Sequence, residues 1–360
     1  MLIYSLILVL LTAVITYSIT QIETNNGQLA QVETILENNY YKDVDKNALI
    51  EGAMHGMAAS LDPWTTYMDP NEYSTFNTMM SGSYAGVGLV VSMDTSDNSI
   101  VIISTFPDSP AANANLATGD KILKVDGEVV TGDQLDYAVS KMKGEPGTGV
   151  TLTVLKKDAA DTVDIPITRA NITMTSVTGE MKSNGIGYID ISSFDAPTAQ
   201  EFQDELNTLQ SQGMKSLIID LRDNPGGYVD AAQQIADQFL DSGIIYSISG
   251  KHVQSQTFSA TSGSLNIPIV ILVNENSASA AELLTGALKD NGKATVVGEK
   301  TYGKGVMQQL MPLPNGGAIK VTIAQYFTPD GVCIDGIGIT PDYIVDGADA
   351  QLAKAIDLLK

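Results

Sequence analysis

The chain has 360 residues, with 42 acidic against 20 basic side chains, a formal net charge of −22 and 44% hydrophobic residues. That length implies two or more domains with ample core. So acidic a body excludes nucleic acid as a partner, because phosphate neutralisation needs clustered Lys and Arg. The one cysteine, Cys333, excludes an internal disulfide, a CxxC redox pair and a Cys-rich zinc site. His55 and His252 stand outside any HExxH cluster and read as packing or surface residues, so no metal or cofactor is expected.

The first twenty residues, MLIYSLILVLLTAVITYSIT, carry no charge. An apolar run of this length spans a bilayer as a helix, or forms the core of a signal peptide. Residues 1–21 are read as an uncleaved anchor, with a cleaved signal as the alternative. Either way the remainder faces the extracytoplasmic side.

Residues 26–83 read as a helical region. Leu49, Ile50, Ala53, Met54, Met57 and Ala58 follow the 3.6-residue period. Asp69-Pro70-Asn71-Glu72 combines an N-cap, a proline at the first helical position and a glutamate in the first turn, which predicts a helix start near Pro70. Residues 84–170 change character. Short β-rich runs (GLVVSM, SIVIIST, KILKVDG, VTLTVLK) alternate with Gly, Asp and Pro turns, with one helix near 133–142. From 171 to 360, strands and helices alternate. SLIIDL (216–221), PIVILV (268–273) and KATVVG (293–298) read as buried strands. Phe202, Leu206 and Leu209 form one helix face, and Val229, Ala232, Ile235, Ala236 and Phe239 another. The alternation predicts an α/β layered core.

The chemistry-bearing segment follows the second buried strand. Ser279 falls at the start of the next helix, where N–H dipoles stabilise negative charge developing on a substrate. By itself Ser279-Ala-Ala-Glu282 also fits a capping box. Lys304 sits in the glycine-flanked loop TYGKG. A lysine serves as a serine's base only when neutral, and lowering its pKa from about 10.4 to the useful range near 7–8 requires roughly 4 kcal/mol of destabilisation of the charged form. Tyr302, Val306 and Met307 are the neighbours expected to enclose it. Gln308 lies one turn on if that stretch is helical, in reach to orient the amine. DLRDNPGG (220–227) reads as a tight turn with accessible N–H groups, an ordinary strand-to-helix turn or half of an oxyanion hole. Gly226 or Gly227 would then donate beside Ala280. Gly298 to Lys304 also matches the opening of a phosphate-binding GxxxxGK loop, but Gly305 stands where Ser or Thr must hold magnesium, so nucleotide hydrolysis is set aside.

Together these motifs resemble the C-terminal processing peptidases, also called tail-specific proteases. The family's NxxSASAxE motif matches Ser279 and its surroundings. An FGKGxxQ-like motif follows 25 residues on, with Lys304, Gln308 and Tyr302 in place of Phe. LDPWTTYM (61–68) and TPDGVCIDGIGITPDYIV (328–345) resemble two further family boxes. The resemblance implies a ClpP/crotonase-like protease core with an inserted β-rich PDZ domain and an N-terminal helical region. It implies a serine endopeptidase with Ser279 as nucleophile, Lys304 as base and Gln308 orienting Lys304. It further implies protein substrates with free, apolar C-terminal tails, and a homodimer. Gly86, Val87, Gly88 and Leu89 resemble the PDZ loop that binds a terminal carboxylate through successive N–H groups. SPAANANLATGDKILKVDG (109–127) resembles the PDZ signature, with Asn115 where Gly is usual. Lys143 stands where relatives often carry Arg. The module's place between helices and core suggests that it gates the protease. A catalytically inactive tail-binding adaptor is the rival expectation.

Overall fold

The computed structural model describes residues 27–261 and 264–360. The 1–21 anchor expectation lies outside them, and among the described residues no helix is long and apolar enough to cross a membrane. The chain divides into two compact units, one running to Asn71 with Gln308–Thr322, the other comprising Glu72–Met307 and Ile323–Lys360.

In the first unit, helix α1 (27–39) precedes α2 (Lys46–Ala59), whose N-terminus is capped by Asp45 accepting from Asn47 N–H at 2.9 Å. A three-residue strand, β1 (Thr66–Met68), follows where helix was expected. The cause is local. Pro63 cannot continue a helix. Asp62 Oδ1 accepts from the N–H groups of Trp64 (2.8 Å) and Thr65 (2.6 Å), which turns the chain into the strand. The apolar stripe of α2 is only partly used: Ala58 is buried, whereas Ile50 and Met57 stay 48% and 56% exposed.

Helix α3 (Pro70–Met80) begins where the capping signature places it, and the second unit takes over at its residue Glu72. A β-rich module follows. Its elements are β2 (Ser83–Gly86), β3 (Leu89–Asp94), β4 (Ser99–Thr105), α4 (Pro110–Asn113), β5 (Lys121–Val125), β6 (Glu128–Val129), α5 (Leu135–Met142), β7 (Gly149–Leu155), β8 (Thr162–Thr168) and β9 (Ala170–Thr173). The sheet order is β3-β4-β5-β7-β8, all antiparallel. Ile100, Ile102, Ile122, Leu152 and Val154 fill its core against Ala138 and Met142 of α5. Asn115 adopts the left-handed conformation (φ 58°) in place of the usual glycine. The module leaves and rejoins the chain through one antiparallel ribbon, β2 with β9, so both of its ends tie to the same place.

The core follows with β10 (Val177–Met181), β11 (Ile186–Ile191), α6 (Thr198–Ser211), β12 (Ser216–Asp220), α7 (Val229–Asp237), β13 (Ile244–Ser249), β14 (Gln256–Ser259), β15 (Ile269–Val273), α8 (Ala280–Asp290), β16 (Ala294–Gly298), β17 (Val306–Pro312), β18 (Ala318–Phe327), β19 (Tyr343–Ile344) and α9 (Ala348–Leu358). One sheet runs β10-β11-β12-β15-β16-β19, parallel except for β10. Its central strands β12 and β15 are buried at every position because both faces are covered. Leu217, Ile219, Ile271 and Val273 face α6, α7 and α8, while Ile218, Val270, Leu272 and Val297 face α9. In β18, residues 318–320 pair antiparallel with β1, and 325–327 with β13.

Candidate active site

The site is built at the carboxyl ends of three adjacent parallel strands, where open α/β sheets place their ligands. Asp220 pairs with Leu272, and Val273 with Gly298, so β12, β15 and β16 end at one level. Their three loops carry Gly226 and Gly227, then Ser279, then Lys304.

Hydrogen bonds fasten these loops to one another. Ser277 Oγ donates to Leu221 C=O at 2.7 Å, and Ala278 N–H to Asn224 C=O at 2.9 Å. Asn224 is wholly buried; its Nδ2 donates to Ile191 C=O at 2.6 Å, and its Oδ1 accepts from Gly226 N–H at 2.8 Å. Asp220 and Arg222 form a paired carboxylate and guanidinium, and Tyr188 donates to Asp220 Oδ2 at 2.6 Å. Arg222 Nη1 reaches Ala348 C=O at 2.9 Å, which ties the loop to the start of α9.

Ser279 is 8% exposed and lies immediately before α8 with φ 56° and ψ −114°. A β-carbon rarely tolerates that conformation, and such strain persists only where surrounding contacts enforce it. The contacts are visible. Ser279 N–H donates to Glu282 Oε2 at 2.9 Å. A side chain on Gly226 (φ 95°) would stand 2.7 Å from Ser279 Cβ and 2.9 Å from Ala280 N, so glycine is required there.

Glu282 does far more than answer a helix cap. It is fully buried and accepts four hydrogen bonds. Oε2 takes Ser279 N–H at 2.9 Å and Lys304 N–H at 2.8 Å; Oε1 takes Thr301 Oγ1 at 2.6 Å and Gly303 N–H at 2.7 Å. One carboxylate thus fixes both the serine turn and the lysine loop. The capping-box pattern was legible in the sequence, but its extension to Lys304 was not, because 22 residues separate the partners.

Lys304 is partly buried. Of its expected neighbours, Val306 is buried, Met307 packs on the core and Tyr302 is 55% exposed. The flanking glycines pack against the C-terminal box. A Cβ on Gly303 would meet Gly338 N at 2.9 Å, and one on Gly305 would meet Asp335 N at 2.4 Å. Gln308 stands on β17, a strand rather than the helix considered above, so the one-turn relation to Lys304 does not arise. Its Nε2 donates to Thr322 Oγ1 at 3.3 Å.

Sequence reasoning missed Tyr326. It is 1% exposed, its hydroxyl donates to Lys304 C=O, and its N–H donates to Gly305 C=O at 2.9 Å. Burial pushes the phenol well above its ordinary pKa, the charge of Glu282 adds to this, and a hydrogen bond with the Ser279 hydroxyl opposes it. No motif pointed to this tyrosine, since 22 residues separate it from the lysine whose carbonyl it holds.

Among the described residues the N–H groups of Gly227 and Ala280 meet no acceptor, while that of Gly226 is spent on Asn224. Gly227 (φ 144°) is fixed by its bridge to Phe194, against whose carbonyl a Cβ would collide at 1.9 Å. In the module, Gly86 ends β2, Gly88 (φ 84°) turns, and Leu89 begins β3. The carbonyls of Val87 and Gly88 accept from Ala111 N–H (2.8 Å) and Phe106 N–H (3.1 Å).

Comparison with known proteins places this architecture. Residues 185–345 match peptidase family S41, 86–167 match the PDZ domain, and 14–72 match the N-terminal domain of the activating protease CtpB. A carboxy-terminal-processing protease of Bartonella bacilliformis is 37% identical over 365 residues, 97% of this chain and 83% of that protein. The carboxy-terminal processing protease CtpA of Bacillus subtilis is 34% identical over 353 residues, 93% of this chain and 75% of that one. Among solved structures, the photosystem II D1 C-terminal processing protease is 31% identical with a TM-score of 0.51, over 87% of this chain and 85% of that one. The fold is that of a serine peptidase with a PDZ domain. The chain belongs to the S41 family of carboxy-terminal processing proteases.

Proposed function

We propose that this peptidase cleaves polypeptides with Ser279 as nucleophile and Lys304 as the base that takes its proton and later returns it to the leaving amine. The observation that carries this reading is the shared Glu282 oxygen, which holds the backbone of both residues to one point. The free N–H groups of Gly227 and Ala280 serve as the oxyanion donors, each worth about 3 kcal/mol in such a role. The relatives' names as proteases weigh against an inactive adaptor.

The Gly86–Leu89 loop captures the terminal carboxylate of an apolar tail, which extends along β3 as an added strand. The apolar wall of the adjoining groove supports this reading, since Val87 and Leu89 line it with Val139 and Met142. The chain acts as a homodimer. In support, Leu29, Val32 and Ile35 of α1 lie on one stripe and are each more than half exposed. Residues 1–21 anchor it to a membrane with the catalytic part extracytoplasmic. Incubating an unfolded protein bearing a free apolar C-terminus with wild type, Ser279→Ala and Lys304→Ala tests the assignment. Mass spectrometry is expected to find products with wild type alone; wild-type turnover in either variant refutes it.

A further inference from the structure

The groove beside the carboxylate loop is completed by residues from outside the module. It encloses a cavity of about 260 Å³, to whose lining the module contributes Val87, Leu89, Val139 and Met142. Thr75, Thr78 and Met79 of α3, and Met174 just beyond β9, supply more of it. The C-terminal end of α3 is held in place. Met80 C=O accepts from Ala196 N–H at 2.9 Å, and Gly82 C=O accepts from Met174 N–H at 2.8 Å. These ties fasten it both to the loop before α6 and to the ribbon that carries the module. Met79 nevertheless stays 62% exposed, so a large apolar side chain at the cavity has surface left for an occupant to cover. Lys143 is the one charged residue of the lining. An apolar hollow with a single cation suits an occupant that is apolar and carries one negative charge, which is what a chain end with an apolar last residue offers. Val87 and Leu89 belong to the carboxylate loop itself, so the side chain that enters the cavity beside them is that of the terminal residue.

We infer that Met79 is a specificity-determining residue, a wall supplied by α3 against which the last side chain of a substrate's tail packs. Methionine is unbranched and flexible, so the wall adapts to side chains of different shape. The substrate class is therefore tails ending in any sizeable apolar residue, and affinity rises with the apolar area that this residue brings to the wall. A tail ending in alanine is too short to reach it.

This inference rests on the tail-binding reading, and the test separates the two. The full chain carrying Ser279→Ala, to prevent cleavage, is titrated against fluorescein-labelled octapeptides that differ only in their last residue, Ala, Val or Phe, each as free acid. The Val peptide is also titrated as C-terminal amide. The titrations are repeated with Met79→Ala and with Met79→Leu added, both of which suit an exposed helical position. With Met79 intact, the Phe acid is expected to bind more tightly than the Val acid, the Val acid more tightly than the Ala acid, and the Val acid more tightly than its amide. Met79→Ala is expected to weaken the Phe tail about ten-fold, the lower end of what a lost apolar contact in a pocket costs, and to leave the Ala tail unchanged. Met79→Leu keeps the apolar volume and is expected to bind all three tails as the intact wall does. A loss by Met79→Ala that is equal for the three tails, or absent, overturns the wall alone while the acid-over-amide preference stands, because a residue that only shapes the fold cannot grade tails by size. Absence of that preference with Met79 intact overturns the tail-binding loop, and the wall with it.

Discussion

Ser279 and Lys304 donate their backbone N–H groups to the same atom, Glu282 Oε2, at 2.9 and 2.8 Å. The strained serine turn and the lysine loop are therefore set by one buried carboxylate. Glu282→Gln preserves the shape but presents an NH₂ group to donors, leaving buried N–H groups unsatisfied. Each such loss costs about 1–3 kcal/mol. The variant is expected to lose about 100-fold or more in kcat and several degrees in Tm, read by peptide turnover and calorimetry.

Tyr326 donates to the Lys304 carbonyl from within the core, and the Ser279 hydroxyl counters the effect of burial on its phenol. Tyr326→Phe removes a buried donor with little change in volume. A roughly ten-fold fall in kcat with KM nearly unchanged is expected, because the effect falls on the reacting groups and not on tail capture. Steady-state kinetics on one peptide series distinguishes that from a rise in KM alone.

Much of this was legible in the residues. The buried strands at SLIIDL, PIVILV and KATVVG, and the helix from Pro70, follow from hydrophobic runs and capping chemistry acting over a few residues. Strand β17 was not legible as such, since its pairing with β18 is a tertiary fact that overrides local periodicity. The exposed face of α2 shows the same limit in reverse. Its 3.6-residue apolar stripe is present, but a unit this small has too little surface to cover it. At the site, serine, lysine and the glycine turn were readable from spacing. Glu282's second role, Asn224's anchoring and Tyr326 were not, because each acts through hydrogen bonds spanning 22 or more residues.

The PDZ module carries an acid-sensitive tie. Burial alone raises the pKa of Asp120, but the Lys156 ammonium at 2.8 Å and the N–H groups of Lys157 and Ala117 outweigh it and hold the carboxyl below its ordinary value. A depressed carboxylate contributes stability that is present above the unfolded pKa, about 3.9, and lost as pH falls through the folded value. Asp120→Asn is expected to lower Tm at pH 7 and to narrow its difference from wild type below about pH 4. Calorimetry across that range checks the sign.

On the proposed dimer, the exposed stripe of Leu29, Val32 and Ile35 on α1 meets a second copy of the chain. Replacing Val32 and Ile35 together by Glu is expected to convert a dimer to a monomer in sedimentation velocity at micromolar concentration. A monomeric wild type, or a dimer indifferent to both changes, contradicts the assignment.

The most direct test of the account is the rate at which a fluorophosphonate labels the serine in wild type and in Lys304→Ala, followed by intact mass and peptide mapping. One adduct on Ser279 is expected in wild type, with labelling slowed by about 1,000-fold without the lysine, in the range attributed to a general base. Labelling of Lys304→Ala at the wild-type rate, or an adduct on any other residue, contradicts it.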